Sequence, residues 1–212
     1  MTLGRSGSVP DAPLLSDHPF EQALPVGRSG KADGPPGLCV ELRNRTGLVA
    51  VTARRGQGAA LAESVRRLYG LDLPTGPRRA AAGSSALVGI APGRWLFVQD
   101  TDDSTSLAAS LAASLGGHAA IVDVSDARSV LRLWGPKLRA VLAKGLPIDL
   151  HPDRFGLDAA ASSMIALIHV QIWQCGDPPC IEIAVPRSYA GSFAAWQTES
   201  AAEFGLLVIS QG

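Results

Sequence analysis

Two stretches of this chain, at about 48–124 and 129–210, run through the same order of elements: strand, helix, hairpin, helix, strand. That order is the split β-α-β arrangement of a ferredoxin-like unit. Two such units in succession predict an α+β fold with helices covering one face of each sheet. The repeat is one of topology, since the two halves show no visible likeness in sequence.

In the first stretch LVAVTA reads as a short apolar strand. QGAALAESVRRLYG follows, with Leu61, Val65, Leu68 and Tyr69 at the spacing of an amphipathic helix and Gly70 at its end. SALVGIA and RWLFVQD flank the turn APGR as a hairpin. In TDDSTSLAASLAASLGG, acidic and hydroxyl residues suit a helix start, Leu107, Leu111 and Leu115 share a face, and Gly-Gly stops it. HAAIVDVS closes the unit as a strand. The second stretch opens with the strand SVLRLWG. PKLRAVLAKG is predicted as a helix with Pro136 in its first turn, Leu138, Val141 and Leu142 facing inward, and Gly145 as its C-terminal cap. SMIALIHVQIWQ and CIEIAVP form a hairpin across CGDPP. RSYAGSFAAWQTESAAEFG is a long helix with Tyr189, Phe193, Trp196 and Phe204 on one stripe, and LLVIS is the last strand.

Upstream, CVELR alternates and NRTG is a turn signal, so CVELR and LVAVTA are predicted to pair as a hairpin. Gly, Pro and Ser accumulate over residues 1–37, which read as a tail with one docking segment around Leu14 to Leu24 and VGRSGKADGPPG as a linker. The expected division is therefore tail 1–37, first α+β unit 38–125 and second α+β unit 126–212.

Lys plus Arg equals Asp plus Glu at 19 each, so no overall field favours nucleic acid or an anionic membrane. The pairs Arg54-Arg55, Arg66-Arg67 and Arg78-Arg79 read as solvated helix and loop positions. RNA recognition also needs aromatic platforms, and Trp134, Trp173 and Trp196 lie in apolar patterns that read as core. No apolar run approaches the ~18–20 residues of a bilayer span. The N-terminus lacks the apolar core of an export signal, so the cytoplasm is the expected compartment. Cys39, Cys175 and Cys180 have no metal-type spacing. CGDPPC flanks a tight turn, which makes a hairpin disulfide geometrically conceivable, but free thiols are the expectation without an export signal.

A search for chemistry finds little. His18 lies in the tail, His118 precedes a strand after Gly-Gly, and His169 sits inside IALIHVQIW as a sheet histidine. His151 has a nearby carboxylate in Asp149, yet i, i+2 spacing before a proline does not aim the two side chains at one point. HxxxH, HxH, CxxC, GxSxG and GxGxxG are all missing, and GRSGK lacks the spacing of a phosphate loop. No catalytic, cofactor-binding or metal-binding residue is assigned.

One resemblance carries more. RLWGPKLRAVLAKGLPIDLHPDRF, IHVQIW and CIEIAVPRSYAGSFAAWQTESAAEFG, together with VTARRGQGAALAESVRRLYGLDLP and APGRWLFV, resemble the gamma subunit of heterotetrameric sarcosine oxidase over about residues 38–206. The matching features include Gly135-Pro136, the LAKG segment, Asp149-Leu150-His151-Pro152 with Phe155, and Val185-Pro186-Arg187-Ser188-Tyr189. The resemblance implies a fold like the folate-binding part of glycine-cleavage aminomethyltransferase. It also implies assembly with alpha, beta and delta subunits, alpha being the expected direct contact. That complex oxidatively demethylates sarcosine to glycine, yields formaldehyde or methylenetetrahydrofolate, and makes hydrogen peroxide. FAD, FMN, NAD, zinc and tetrahydrofolate belong to the other subunits, so this chain is expected to be a non-catalytic companion without a cofactor. A KGCYxGQE-type signature is missing, since the corresponding region reads KGLPIDLHP. Alternatives are the matching subunit of a related N-methyl amino acid oxidase or dehydrogenase, and a stand-alone folate-binding protein.

Within that frame Asp149, His151, Pro152 and Phe155 are expected to form a structural corner or a subunit interface. Pro152 restricts His151 to extended geometry, which suits a fixed corner. Replacing His151 by Ala is accordingly expected to impair assembly or stability before turnover.

Overall fold

In the computed structural model, which describes residues 19–210, Asn44 and Arg45 carry the chain from one sheet into another. The N-terminal elements are α1 (Phe20–Ala23), β1 (Gly27–Ser29) and β2 (Leu38–Arg43). The first unit then comprises β3 (Thr46–Ala53), α2 (Gly58–Tyr69), β4 (Arg79–Ala82), β5 (Ser85–Ala91), β6 (Arg94–Asp100), α3 (Ser104–Leu115) and β7 (Ala119–Asp123). The second comprises β8 (Arg128–Trp134), α4 (Leu138–Leu142), β9 (Ala160–Ile165), β10 (Ile168–Gly176), β11 (Cys180–Pro186), α5 (Ala190–Ala201) and β12 (Leu206–Ser210).

The first unit forms the sheet β4-β5-β6-β3-β7. Its last strand lies beside its first, and the β5–β6 hairpin lies on the first strand's other side, as the ferredoxin-like order requires. The second unit follows the same plan with one change. Its sheet runs β1-β12-β2-β8-β11-β10-β9, so β2 is inserted between the unit's first and last strands. β2 runs antiparallel to β8 and parallel to β12.

That insertion corrects the expected β2–β3 hairpin. NRTG holds only a bend at Arg45, and β2 and β3 take partners in different sheets. Local turn chemistry signals a reversal and cannot say which neighbour a strand will choose. Sheet membership thus crosses residue 125, because residues 38–43 hydrogen-bond with strands beyond it.

Each sheet buries both faces. Leu61 and Val65 of α2 and Leu107, Leu111 and Leu115 of α3 pack on the first sheet with Val49, Val51 and Phe97. Leu68, expected on that inward stripe, is 47% exposed, because the buried line is i, i+4 through Leu61 and Val65. Gly70 ends α2 in the left-handed conformation, its N–H bonded to Arg66 O at 3.0 Å, as expected of a glycine cap. Asp103 caps α3 by accepting from Ser106 N at 2.8 Å.

On the second sheet lie α1, α4 and α5, with Val141, Leu142 and Phe193 fully buried. The docking segment expected around Leu14 to Leu24 is present where it is described. Phe20 and Leu24 are buried, and Phe20 meets Phe193 edge-on at 5.9 Å. Leu14 and His18 lie outside the described residues. Part of the expected linker adds an edge strand, β1 on β12. The opposite sheet faces pack together through Leu48, Val88, Leu96 and Val98 from one side and Val130, Trp173 and Ala184 from the other. The layers are therefore helix, sheet, sheet, helix.

Three local readings change. SMIALIHVQIWQ holds two strands, joined at Ala166 and Leu167, which both take positive φ. Such two-residue turns normally advertise themselves with Gly or Asn, and neither is there. α4 is shorter than the predicted helix, and Gly145 is not left-handed. A β-carbon at Gly145 would lie 2.7 Å from Trp196 Nε1, so packing against α5 demands the glycine. Finally, Tyr189 is 50% exposed and leaves the aromatic stripe to Phe193, Trp196 and Phe204.

Candidate functional site

The inner face of the second sheet carries a row of charges where an apolar layer would be the default. Glu41 of β2, Arg132 of β8, Glu182 of β11 and Trp173 of β10 stand in register across four neighbouring strands. Glu182, only 6% exposed, accepts from Arg132 Nη2 at 2.7 Å, Arg132 Nε at 3.0 Å, Arg43 Nη1 at 2.8 Å and Trp173 Nε1 at 2.7 Å. Arg132 also reaches Glu41 at 3.4 Å. Burial disfavours the Arg132 charge, but Glu182, Cys175, Cys180 and Glu41 together outweigh it and hold that guanidinium above its ordinary pKa. Arg43 then donates to Asp100 of β6, tying one sheet to the other. None of these contacts was anticipated. Alternating charge in CVELR and CIEIAVP reads as solvent-facing until a second sheet covers that face.

Arg43 also lines a polar cavity of about 790 Å³ at the end of both sheets, shared with Thr46, Asp102, Asp126, Arg128 and Arg187. Two carboxylates of the lining already have donors: Asn44 Nδ2 lies 3.1 Å from Glu21, and Arg45 Nε lies 2.9 Å from Asp102. Burial pushes the Arg128 guanidinium down, and its Nη1 is buried without a partner among the described residues. An acceptor entering the cavity would satisfy that donor.

The sequence-predicted corner lies elsewhere, beyond α4. Asp149 Oδ1 accepts from His151 N at 2.9 Å, and His151 O accepts from both Arg154 N and Phe155 N at 2.8 Å. Leu150 and Phe155 anchor the turn in the core. Arg139 of α4 clamps it from beneath, donating to Leu150 O, to Phe155 O at 3.2 Å and to Gln174 Oε1 at 3.0 Å. Sequence reasoning missed Arg139, because a single arginine on a short helix looks like a solvated position.

His151 itself points outward. Its side chain is 63% exposed and, among the described residues, meets Asp153, with Nδ1 accepting from Asp153 N at 3.3 Å and lying 3.5 Å from its carboxylate. The Asp149 carboxylate thus holds the His151 backbone N–H and not the His151 ring. We expect Arg139→Met to lower stability by about 2 kcal/mol, from backbone carbonyls left without their donor. Thermal denaturation checks this, as a fall of about 4–8 °C. His151→Ala should stay within about 0.5 kcal/mol in the same measurement, since exposed positions away from packing carry little. The stability effect expected of His151 therefore falls away, leaving assembly as the place to look.

The other histidines stand apart. His118 Nδ1 meets Gln57 Oε1 at 3.1 Å, and exposed His169 neighbours Gln171 at 3.5 Å. Arg66 pairs with Asp72 and Arg79 with Asp158, both at 2.8 Å, and Arg54 Nε donates to Gly116 O at 3.1 Å, so one arginine of each pair has a separate partner. Among the described residues, no three His, Cys, Asp or Glu side chains come together as a metal site. Among the described residues no helix is long and apolar enough to cross a membrane.

The profile of the sarcosine oxidase, gamma subunit family matches residues 55–203. The chain belongs to the sarcosine oxidase gamma subunit family. A relative from Arthrobacter sp, named sarcosine oxidase subunit gamma, is 34% identical over 149 residues, covering 69% of this chain and 72% of the relative. One of the same name from Corynebacterium sp. (strain P-1) is 34% identical over 160 residues, covering 74% and 76%. Among solved structures, the heterotetrameric sarcosine oxidase from Corynebacterium sp. U-96 in complex with pyrrole 2-carboxylate contains a chain similar to this gamma-family member. It has a TM-score of 0.71 and 27% identity, covering 87% of this chain and 90% of that one. The glycine cleavage system aminomethyltransferase T from Bartonella henselae shares the fold, with a TM-score of 0.59 and 18% identity over 84% of this chain and 48% of that chain. The aminomethyltransferase-like α+β fold expected from the resemblance is therefore correct.

Proposed function

We propose that this chain is the gamma subunit of a heterotetrameric sarcosine oxidase and contributes a folded surface to it, with no reacting group of its own. The observation that carries this reading is the likeness along nearly the whole chain to a chain of that oxidase. Two features of the site support the non-catalytic part. Its most buried charges, Arg43 and Glu182, are already committed to each other and to Arg132, Asp100 and Trp173. Its described histidines, His118, His151 and His169, lie apart, each beside a different side chain.

On this reading FAD, FMN, NAD, zinc and tetrahydrofolate sit on other subunits of a cytoplasmic complex that demethylates sarcosine. Alpha is the direct contact, and the exposed side of the corner at Asp149, His151 and Pro152 belongs to the contact surface. The isolated full chain should show no flavin absorbance and no heat on titration with tetrahydrofolate. Bound flavin, or heat of micromolar affinity, would overturn the companion reading.

A second reading, a folate-binding protein acting alone, draws on the polar cavity and its unpartnered Arg128 donor. It requires that same tetrahydrofolate titration to be positive and to be lost in Arg128→Met. A complex acting on another N-methyl amino acid is distinguished by the substrate that the assembled complex oxidises.

A further inference from the structure

The β10–β11 hairpin ends in Cys175-Gly176-Asp177-Pro178-Pro179-Cys180, and neither the companion role nor the charged row uses its two sulfurs. A bulge between Gln174 and Gly176 places the pair Gly176–Cys180 in register and leaves Cys175 as the extra residue beside Cys180. The Cys175 thiol donates to Cys180 Sγ at 3.2 Å and lies 3.3 Å from Cys180 O. Both residues are half-buried, next to an exposed Asp177-Pro178-Pro179 tip. All three cysteines of the chain are free.

We propose that Cys175 and Cys180 form a peroxide-oxidisable dithiol that closes into a disulfide at this hairpin tip. The geometry sets the order of events. Cys180 accepts the hydrogen bond and stands diagonally across from Arg132, which faces Glu182 in the register two residues away. The Cys175 hydrogen bond draws the Cys180 thiol below its ordinary pKa, and Arg132 adds to that pull. The Cys175 thiol is pushed up by the hydrogen bond it donates and by burial. Cys180 is the nucleophile and Cys175 the resolving thiol.

In the first step the Cys180 thiolate attacks one oxygen of hydrogen peroxide. The S–O bond forms as the O–O bond breaks, the sulfur becomes a sulfenic acid, and hydroxide leaves. In the second step the Cys175 sulfur attacks the sulfenic sulfur while its proton passes to the departing oxygen. The S–S bond forms and the S–O bond breaks. Counting the protons of both thiols, one peroxide becomes two waters. Bringing the sulfurs to bonding distance needs a shift of about 1 Å.

Cys39 cannot join this reaction. The register places it opposite Trp134, which is in turn opposite Cys180, two strand spacings or about 10 Å away. That exceeds the reach of a disulfide, which ends near 7 Å between Cα atoms. Cys39 is therefore an internal reference.

The test is stoichiometric hydrogen peroxide on the full chain, read by thiol titration and intact mass. Titratable thiols should fall from three to one, with a mass loss equal to two hydrogens. Dithiothreitol should reverse both changes. Cys39→Ser should still close, and Cys180→Ser should slow peroxide consumption about tenfold. Cys175→Ser should hold Cys180 as a sulfenic acid trapped by dimedone. Three thiols remaining, oxygen adducts accumulating in the wild-type chain, or Cys39 reacting first would each overturn the proposal. Because the chain itself is the reactant, the outcome stands apart from whether it joins an oxidase.

Discussion

Replacing Glu182 by Ala should destabilise the chain by about 3–5 kcal/mol, the usual cost of removing one partner from a buried ion pair. For a chain of this size that corresponds to a fall in Tm on the order of 10 °C. The reason lies in what stays behind. Arg43 is 4% exposed, Arg132 has a largely covered side chain, and Trp173 is fully buried, so all three donors lose their common acceptor inside the protein. Glu182→Gln keeps an acceptor without the charge and should cost less. Replacing Glu182, Arg132 and Arg43 together by apolar residues of similar volume should recover most of the loss, because a vacated network no longer strands a charge. If the Ala variant melts with the wild type, the row is solvated in solution and this account of the inter-sheet layer is wrong.

The second large effect concerns β2. A chain beginning at Thr46 should fail to form the second sheet, since β8 and β12 would each lose the strand between them. Val40 and Leu42 are fully buried, so removing β2 opens the core beneath α4 and α5 as well as the ladder. The expected result is broad, non-cooperative unfolding in circular dichroism, with binding of a hydrophobic dye. Adding a synthetic peptide of residues 19–45 should restore a cooperative transition. A chain from Thr46 that melts as sharply as the full chain would show β2 to be an accessory strand.

Both results bear on how far the sequence could be read. The helices of the first unit were legible because α3 shows one clean period, with Leu107, Leu111 and Leu115 all inward, and because Gly70 and Asp103 sit where caps belong. The doubled topology followed from element order alone. What the sequence hid was pairing at a distance. Glu41 in CVELR and Glu182 in CIEIAVP lie on a sheet face covered by the second sheet, which the sequence does not show. Charges in a strand read as exposed when nothing shows that an Arg43 will meet a Glu182 139 residues away. Ala166-Leu167 hid a turn for a different reason: its backbone is one that Gly or Asn adopts more readily. At the corner the sequence singled out Asp149, His151, Pro152 and Phe155 and did not single out Arg139. Asp149 orders the backbone, His151 faces solvent, and Arg139 holds the carbonyls.

The central claim is that this chain works as a companion bound to flavoprotein subunits. Its most direct test is co-expression of the full chain with the other subunits of a sarcosine oxidase, followed by size-exclusion chromatography. The account predicts one copy of this chain co-eluting with each flavin-bearing assembly, with all flavin absorbance assigned to the partners once the complex is dissociated. Elution of this chain alone as a monomer, while the flavoprotein subunits assemble and oxidise sarcosine at full rate without it, would contradict the claim.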